Sequence, residues 1–126
     1  MKLNGKVAVV TGGAMGNGLG IVEVFLKYGA KVIILDYSNE LENTIRKLKS
    51  SDNDVEGYLV DIRDNTRVTD VLNEVGKKYG QIDILINNAG VCKLDTFENM
   101  SDELRDFHFD INIKGTWNVT KAVLPY

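Results

Sequence analysis

The sequence has one cysteine, one proline and one histidine among its 126 residues, and each shortage excludes a kind of protein. The single cysteine, Cys92, cannot form an internal disulfide, so a disulfide-stabilised secreted fold is excluded and a reducing compartment is favoured. The single proline, Pro125, leaves no material for a proline-rich linker. The lone histidine, His108, has no cysteine or carboxylate cluster at ligand spacing, so we predict no metal site.

Basic charge and long apolar runs are also scarce. The 15 lysines and arginines are outnumbered by 18 aspartates and glutamates, which gives nucleic-acid binding no electrostatic support. Only four apolar residues stand between Lys6 and Thr11, too few for the core of a signal peptide. No run approaches the length that crosses a membrane. We therefore expect a soluble, cytoplasmic protein without nucleic-acid or membrane partners.

The chain does contain apolar strand segments that alternate with helical patterns. Runs of valine, isoleucine and leucine are typical of parallel strands buried on both faces. These runs are Lys6–Thr11, Lys31–Asp36, Val55–Asp61 and Ile82–Asn87. The helical patterns cover about Gly18–Tyr28, the residues after Ser38 as an N-cap, Asp64–Gly80, and the residues after Ser101. With right-handed crossovers, they predict an α/β fold over residues 1–126: a Rossmann-type doubly wound parallel sheet of four strands, in the order 3-2-1-4, with flanking helices.

The turn between the first strand and the first helix is rich in glycine. It reads Thr-Gly-Gly-Ala-Met-Gly-Asn-Gly-Leu-Gly over Thr11–Gly20, with spaced glycines at Gly12, Gly16 and Gly18. Glycine lets the backbone approach a phosphate without side chains in the way. The free N–H groups and the positive end of the following helix attract the same anion. The turn therefore predicts a pyrophosphate site at the carboxyl ends of the strands.

Asp36 ends the second predicted strand, 18 residues after Gly18, near the spacing of a ribose-binding carboxylate. Its two oxygens can accept hydrogen bonds from both adenosine ribose hydroxyls, and its charge repels a 2′-phosphate. Met15 and Tyr37 stand where a basic side chain would welcome that phosphate, and neither is basic. We therefore predict NAD, in preference to NADP, as the cofactor. The alternative is that Asp36 only caps the helix at Ser38.

These residues resemble the short-chain dehydrogenase/reductase family over the whole chain. Thr11–Gly18 matches the family's T-G-x-x-x-G-x-G turn, and Asn87–Gly90 matches its N-N-A-G motif, the more specific signal. The stretch from Asn87 to Pro125 is also similar to one oxidoreductase subgroup that has no secure substrate. The resemblance implies cofactor binding by Gly12, Met15, Gly16, Asn17, Gly18, Asp36, Asp61, Ile62, Asn88, Ala89 and Gly90, with Asp61 and Ile62 against the adenine ring. Asn17 departs from the family pattern, which has isoleucine or leucine there.

Asn112 lies in the stretch Asp110–Gly115 and matches the family's N-x-x-G pattern in the fourth helix. The resemblance implies that it belongs to an Asn-Ser-Tyr-Lys catalytic set, in which its main chain holds a water that links the lysine to solvent. Asparagine inside an apolar helix is unfavourable because its side chain competes for backbone groups. We therefore expect a local irregularity of the helix there. A buried structural asparagine is the alternative.

Hydride transfer between an alcohol and a nicotinamide requires a general acid/base for the hydroxyl proton. The family uses Tyr-x-x-x-Lys and a serine, and none of the five tyrosines here has lysine four residues later. We interpret the chain as the N-terminal half of an NAD-dependent oxidoreductase for a small-molecule alcohol or ketone, truncated before those residues and inactive alone. The alternatives are a non-catalytic NAD-binding module and a remnant that contributes only interaction surface.

We predict that the isolated chain self-associates or unfolds more easily than a full-length relative. The fourth strand would lack an outer neighbour, and exposed strand edges and apolar surface promote association. The resemblance also implies a homo-oligomer that pairs through the helix of Ser101–Leu124. Light scattering after size exclusion and thermal unfolding measure both properties. A monodisperse monomer with a high unfolding temperature would contradict the prediction.

Overall fold

The computed structural model describes residues 2–126 and contains one four-stranded parallel sheet. The strands are β1 (Val7–Thr11), β2 (Lys31–Asp36), β3 (Val55–Leu59) and β4 (Ile84–Ile86). They lie in the order β3-β2-β1-β4, which confirms the predicted fold and strand order. Each pair is parallel, and Val9 is aligned with Ile33 of β2 and with Leu85 of β4.

The two outer strands are shorter than the sequence predicts. β3 ends at Leu59 because its neighbour β2 ends at Asp36. The amide of Val60 donates to the carbonyl of Asp36, and the chain then turns. β4 spans only Ile84–Ile86 because its residues pair with Ala8–Val10 of β1 alone. Both differences arise at the edges of the sheet, where a strand has one neighbour to extend it.

The helices are α1 (Gly16–Lys27), α2 (Leu41–Lys49), α3 (Asn65–Tyr79), α4 (Asp102–Phe109) and α5 (Thr116–Val123). The predicted starts of α3 and α4 are confirmed, and each helix has a side-chain N-cap: Asp64 accepts from the Arg67 amide, and Ser101 accepts from the Leu104 amide. The predicted N-cap of α2 is wrong. Ser38 lies three residues before the helix, where its carbonyl accepts from the Leu41 amide, so it closes a turn.

The sheet separates two apolar clusters. On one face, Val10, Val32 and Ile34 pack with Val22 of α1 and Leu41 of α2. On the other, the alternate strand residues Val9, Ile33 and Leu35 pack against α3 and α5, which contribute Leu72, Val75 and Val119. Burial on both faces is what continuous apolar strands require. It leaves the carboxyl ends of the strands at one edge, where the connecting loops meet.

The expected helix irregularity is present at Asn112. Residues Asp110–Gly115 form a π-helix between α4 and α5. A π-helical turn closes hydrogen bonds from i to i+5; such turns are rare, and many of them lie at functional sites. The fourth predicted helix is therefore three consecutive segments. No helix within residues 2–126 combines the length and the apolar character that a membrane crossing needs.

Leu72→Ala should destabilise the fold strongly. Leu72 of α3 is fully buried beneath the sheet, and deleting a buried leucine side chain to alanine costs about 2–5 kcal/mol because a cavity remains. Val24→Ala is the control, because Val24 of α1 is about half exposed and should change stability by less than about 0.5 kcal/mol. Urea denaturation of both variants measures the difference, and similar midpoints would contradict the packing described.

Candidate functional site

The glycine-rich turn brings two backbone segments into direct contact. Gly12 has φ +67° and Gly16 has φ +59°, values that side chains other than glycine rarely adopt. Gly18 is required for a different reason. A Cβ built on Gly18 would overlap the Gly12 carbonyl and would lie 2.5 Å from Nδ2 of Asn88. The first turn of α1 can therefore lie against the end of β1 only without a side chain at position 18.

The first turn of α1 has unpaired N–H groups. Its N-cap residue, Met15, makes no side-chain capping hydrogen bond, and the first turn contains no acidic residue. Within the described part of the chain, the amides of Gly16, Asn17 and Gly18 have no acceptor, and the first α1 bond runs from Leu19 to Met15. Free N–H groups and the positive end of the helix dipole favour an anion at this position.

Asn88 and Thr11 join the ends of β4 and β1. The Asn88 side-chain amide donates to the carbonyls of Thr11 and Gly12, both at 3.1 Å. The hydroxyl of Thr11 accepts from the amides of Asn88 and Ala89 at 3.1 and 2.9 Å. Asn87 donates to the hydroxyl of Thr120 in α5 at 3.0 Å. Asn88 thus connects β4 to β1, and Asn87 connects it to α5.

Asp36 is buried at the end of β2, with 7% of its surface exposed. Its Oδ2 accepts from the amide of Ala14 at 2.9 Å, and its Oδ1 accepts from the amide of Ser38 at 3.0 Å. No cation forms an ion pair with it among residues 2–126. The contact with Ser38 shows that Asp36 also orders the following turn. Each carboxylate oxygen has two lone pairs, so both can accept one more hydrogen bond.

One cavity of about 370 Å³ opens over the carboxyl ends of the four strands. Eight of the eleven residues expected to bind a cofactor line it: Gly12, Met15, Asp36, Asp61, Ile62, Asn88, Ala89 and Gly90. The other three, Gly16, Asn17 and Gly18, form the adjoining first turn of α1. The structure therefore gathers all eleven at one edge of the sheet, although they come from four loops.

An ion pair closes one side of the cavity. The guanidinium of Arg63 holds both carboxylate oxygens of Asp61, with the shortest distance 2.7 Å from Nη2 to Oδ2. These hydrogen bonds lower the pKa of Asp61 despite the opposing effect of partial burial. The same guanidinium lies 5.6 Å from the ring centre of Phe107 in α4. Sequence reasoning missed Arg63 and Phe107 as cavity residues, because no local pattern connects α4 to the loop after β3.

Asn112 does not line this cavity, but it holds a residue that does. Its Oδ1 accepts from the amide of Val91, and its Nδ2 donates to the carbonyl of Val91, both at 2.8 Å. The carbonyl of Asn112 accepts from the hydroxyl of Thr116 at 3.0 Å. The side chain of Asn112 thus fixes the segment that follows the N-N-A-G motif.

His108 fixes the same segment one turn earlier. Its Nε2 accepts from the amide of Lys93 at 2.9 Å, so the proton is on Nδ1, which lies 2.7 Å from the carbonyl of Leu104. The lone histidine therefore has a structural role.

These features define a Rossmann-type fold, the class that includes dinucleotide-binding proteins. They are a doubly wound parallel sheet, a glycine turn before α1, a carboxylate at the end of β2 and a cavity over the carboxyl ends of the strands. The family profile described as short chain dehydrogenase matches residues 6–126. The chain belongs to the short-chain dehydrogenase family, as the motifs predicted.

Individual relatives agree with this assignment. The chain is 49% identical to the oxidoreductase UcpA of Escherichia coli K12 over 124 residues, which cover 98% of the chain and 47% of that protein. Among solved structures, it resembles a short chain dehydrogenase from Mycobacterium paratuberculosis bound to NAD, with TM-score 0.91 and 29% identity, covering 99% of this chain and 51% of that one. It also resembles carveol dehydrogenase from Mycobacterium avium in complex with NAD, with TM-score 0.88 and 26% identity, covering 97% of this chain and 49% of that one. The chain spans about half the length of the relatives it matches.

Gly18→Ala should destabilise the chain, whereas Gly20→Ala should not. Both residues lie in α1, but a Cβ at Gly18 overlaps the Gly12 carbonyl and a Cβ at Gly20 meets no atom within 4 Å. Overpacking costs about 1–3 kcal/mol, while alanine in an exposed helix position stabilises by about 0.5–1 kcal/mol relative to glycine. Urea denaturation of the two variants measures the effect of the contact between Gly12 and Gly18. Equal stabilities of the variants would contradict that contact.

Proposed function

We propose that this chain binds NAD, with the pyrophosphate at the first turn of α1 and the adenosine ribose at Asp36. One observation carries the proposal: free N–H groups at Gly16–Gly18 and a buried carboxylate that forms no ion pair within residues 2–126 flank the same end of the sheet. An anion and a vicinal diol are the groups these two surfaces recognise. The NAD bound to two structurally similar relatives supports the same choice.

The residues present fit the cofactor. The contact between Gly12 and Gly18 leaves a bare backbone surface, which a Cβ at position 18 would fill. Ala89 and Gly90 provide similarly small surfaces after β4. Asp61 and Ile62 would adjoin the adenine, and Asn112, through Val91, would keep the small residues in position. When bound, NAD would supply a nicotinamide ring that accepts or donates hydride.

The preference for NAD over NADP rests on charge. Asp36 has no cation to neutralise it among the described residues, so a 2′-phosphate placed beside it would meet like charge. Arg63 is the one basic residue that lines the cavity. Its guanidinium already pairs with both oxygens of Asp61 through Nε and Nη2, so most of its charge is balanced before a phosphate arrives.

We further propose that residues 1–126 form the NAD-binding domain of an oxidoreductase for an alcohol and ketone pair. The chain would bind and orient the cofactor, and Asn112 is its candidate member of the catalytic set. The general acid/base is not among these residues in the Tyr-x-x-x-Lys spacing, so we expect no turnover by this chain alone. A non-catalytic NAD-binding module is the second candidate, because the free amides of α1 and the Asp36 carboxylate would hold a dinucleotide without any acid/base group.

Asp36→Ala should weaken NAD binding about tenfold to a hundredfold, because hydrogen bonds to a charged group are worth about 1.5–3 kcal/mol. NADP binding should fall less, because removing the carboxylate also removes its repulsion of the 2′-phosphate. Calorimetric titration of each dinucleotide into wild type and variant measures both effects. Asp70→Ala is the matched control, since Asp70 is exposed on α3.

Three outcomes would contradict the proposal. If the wild-type chain failed to bind NAD at millimolar nucleotide, the proposed function would be wrong. An unchanged ratio of NAD to NADP affinity in Asp36→Ala would remove the ribose assignment. If the chain alone oxidised simple alcohols, as monitored by the absorbance of the reduced nicotinamide, proton transfer would not require groups outside these residues.

A further inference from the structure

Three polar or charged side chains are buried in the described part of the chain: Thr11, Asp36 and Thr44. The first two belong to the candidate site. Thr44 lies in α2 and does not line the cavity. A buried hydroxyl is costly unless it forms a hydrogen bond. Thr44 meets this requirement by donating to the carbonyl of Ala14 at 2.7 Å.

This hydrogen bond is unusual for a threonine in a helix. Helical threonines commonly donate to the carbonyl four residues earlier, as Thr116 does to Asn112 and Thr120 does to Thr116. Thr44 instead donates to another segment, 30 residues away in the sequence. Its hydroxyl therefore holds a tertiary contact between α2 and the glycine-rich turn.

Ala14 is the residue of the turn whose two backbone groups are both held by side chains. Its N–H donates to Oδ2 of Asp36, and its carbonyl accepts from Thr44. It lies between Gly12 and Gly16, which have positive φ, and directly before Met15, the N-cap of α1. Glycines lose the most conformational freedom when they are ordered, so the two hydrogen bonds fix the turn where it is otherwise least constrained.

We propose that Thr44 is a positioning residue of the dinucleotide site. Together with Asp36, it holds the Ala14 peptide so that the free amides of Gly16–Gly18 are ordered before a ligand arrives. Preorganisation raises affinity because less ordering entropy is lost on binding. The inference rests on the proposed NAD binding, and it gives Asp36 a second role as an anchor of the phosphate turn.

Thr44→Val keeps the shape of the side chain but removes the hydroxyl, so the Ala14 carbonyl stays buried without its donor. We expect NAD affinity, measured by calorimetry, to fall about tenfold. Thr44→Ser retains the hydroxyl and should bind within about twofold of wild type. Thr69→Val is the control, because Thr69 lies mid-helix in α3 and its side chain forms no hydrogen bond in residues 2–126.

A second measurement uses the wild-type chain without ligand. Amide hydrogen exchange by NMR should be much slower at Ala14 than at Gly16 and Asn17, because only the Ala14 amide is bonded. Folded Thr44→Val should exchange faster at Ala14, and Thr69→Val should not. This readout needs no nucleotide and reports the turn directly.

The outcomes separate the two proposals. If wild type binds no NAD, the proposed function is wrong, and the exchange rates alone decide whether Thr44 orders the turn. If wild type binds NAD, the positioning role is overturned when Thr44→Val binds within twofold of it, or when Thr44→Ser is as weak as Thr44→Val. Ala14 exchange as fast as that of Asn17 in the wild-type chain would also overturn it.

Discussion

The contact between the backbones of Gly12 and Gly18 is the constraint on which the rest of the site depends. It leaves no room for a methyl group, and the Asn88 amide bonds across it to two carbonyls. Main-chain packing and the Asn88 side chain therefore fix the end of β1, the end of β4 and the start of α1 relative to one another. The direction of the free amides of α1 follows from that packing and requires no side chain of the turn itself.

The site combines two surfaces of opposite electrostatic character. The start of α1 presents N–H groups and a positive dipole end, whereas Asp36 and Asp61 present carboxylates. Asp61 is neutralised by Arg63, so the unbalanced negative charge is at Asp36. A ligand that satisfies both surfaces must carry an anionic group and hydroxyl donors, separated by the width of the glycine turn. This complementarity, more than cavity size, is the basis on which we propose a dinucleotide as the ligand.

Much of the fold and of the candidate site could be predicted because it depends on local sequence patterns. Continuous apolar runs gave the strands, the glycine spacing gave the turn, and the strand order brought the turn, Asp36 and the N-N-A-G motif to one edge. Contacts between distant segments left no such pattern. The hydrogen bond from Thr44 to Ala14, the guanidinium of Arg63 beside Phe107, and the turn that delays α2 past Ser38 depend on how elements pack. The first two contacts join residues far apart in the sequence, so only the three-dimensional structure shows them.

The π-helix has a consequence for the whole last third of the chain. The residues that face the sheet from α4 to α5 recur every four positions: Phe107, Ile111, Gly115, Val119 and Val123. Four residues of an α-helix exceed one turn by about 40°, so a regular helix would carry Val123 about 160° away from Phe107. A wider turn compensates for this drift. One continuous helical rod can then cover the sheet from the cavity to its far end without rotating off it.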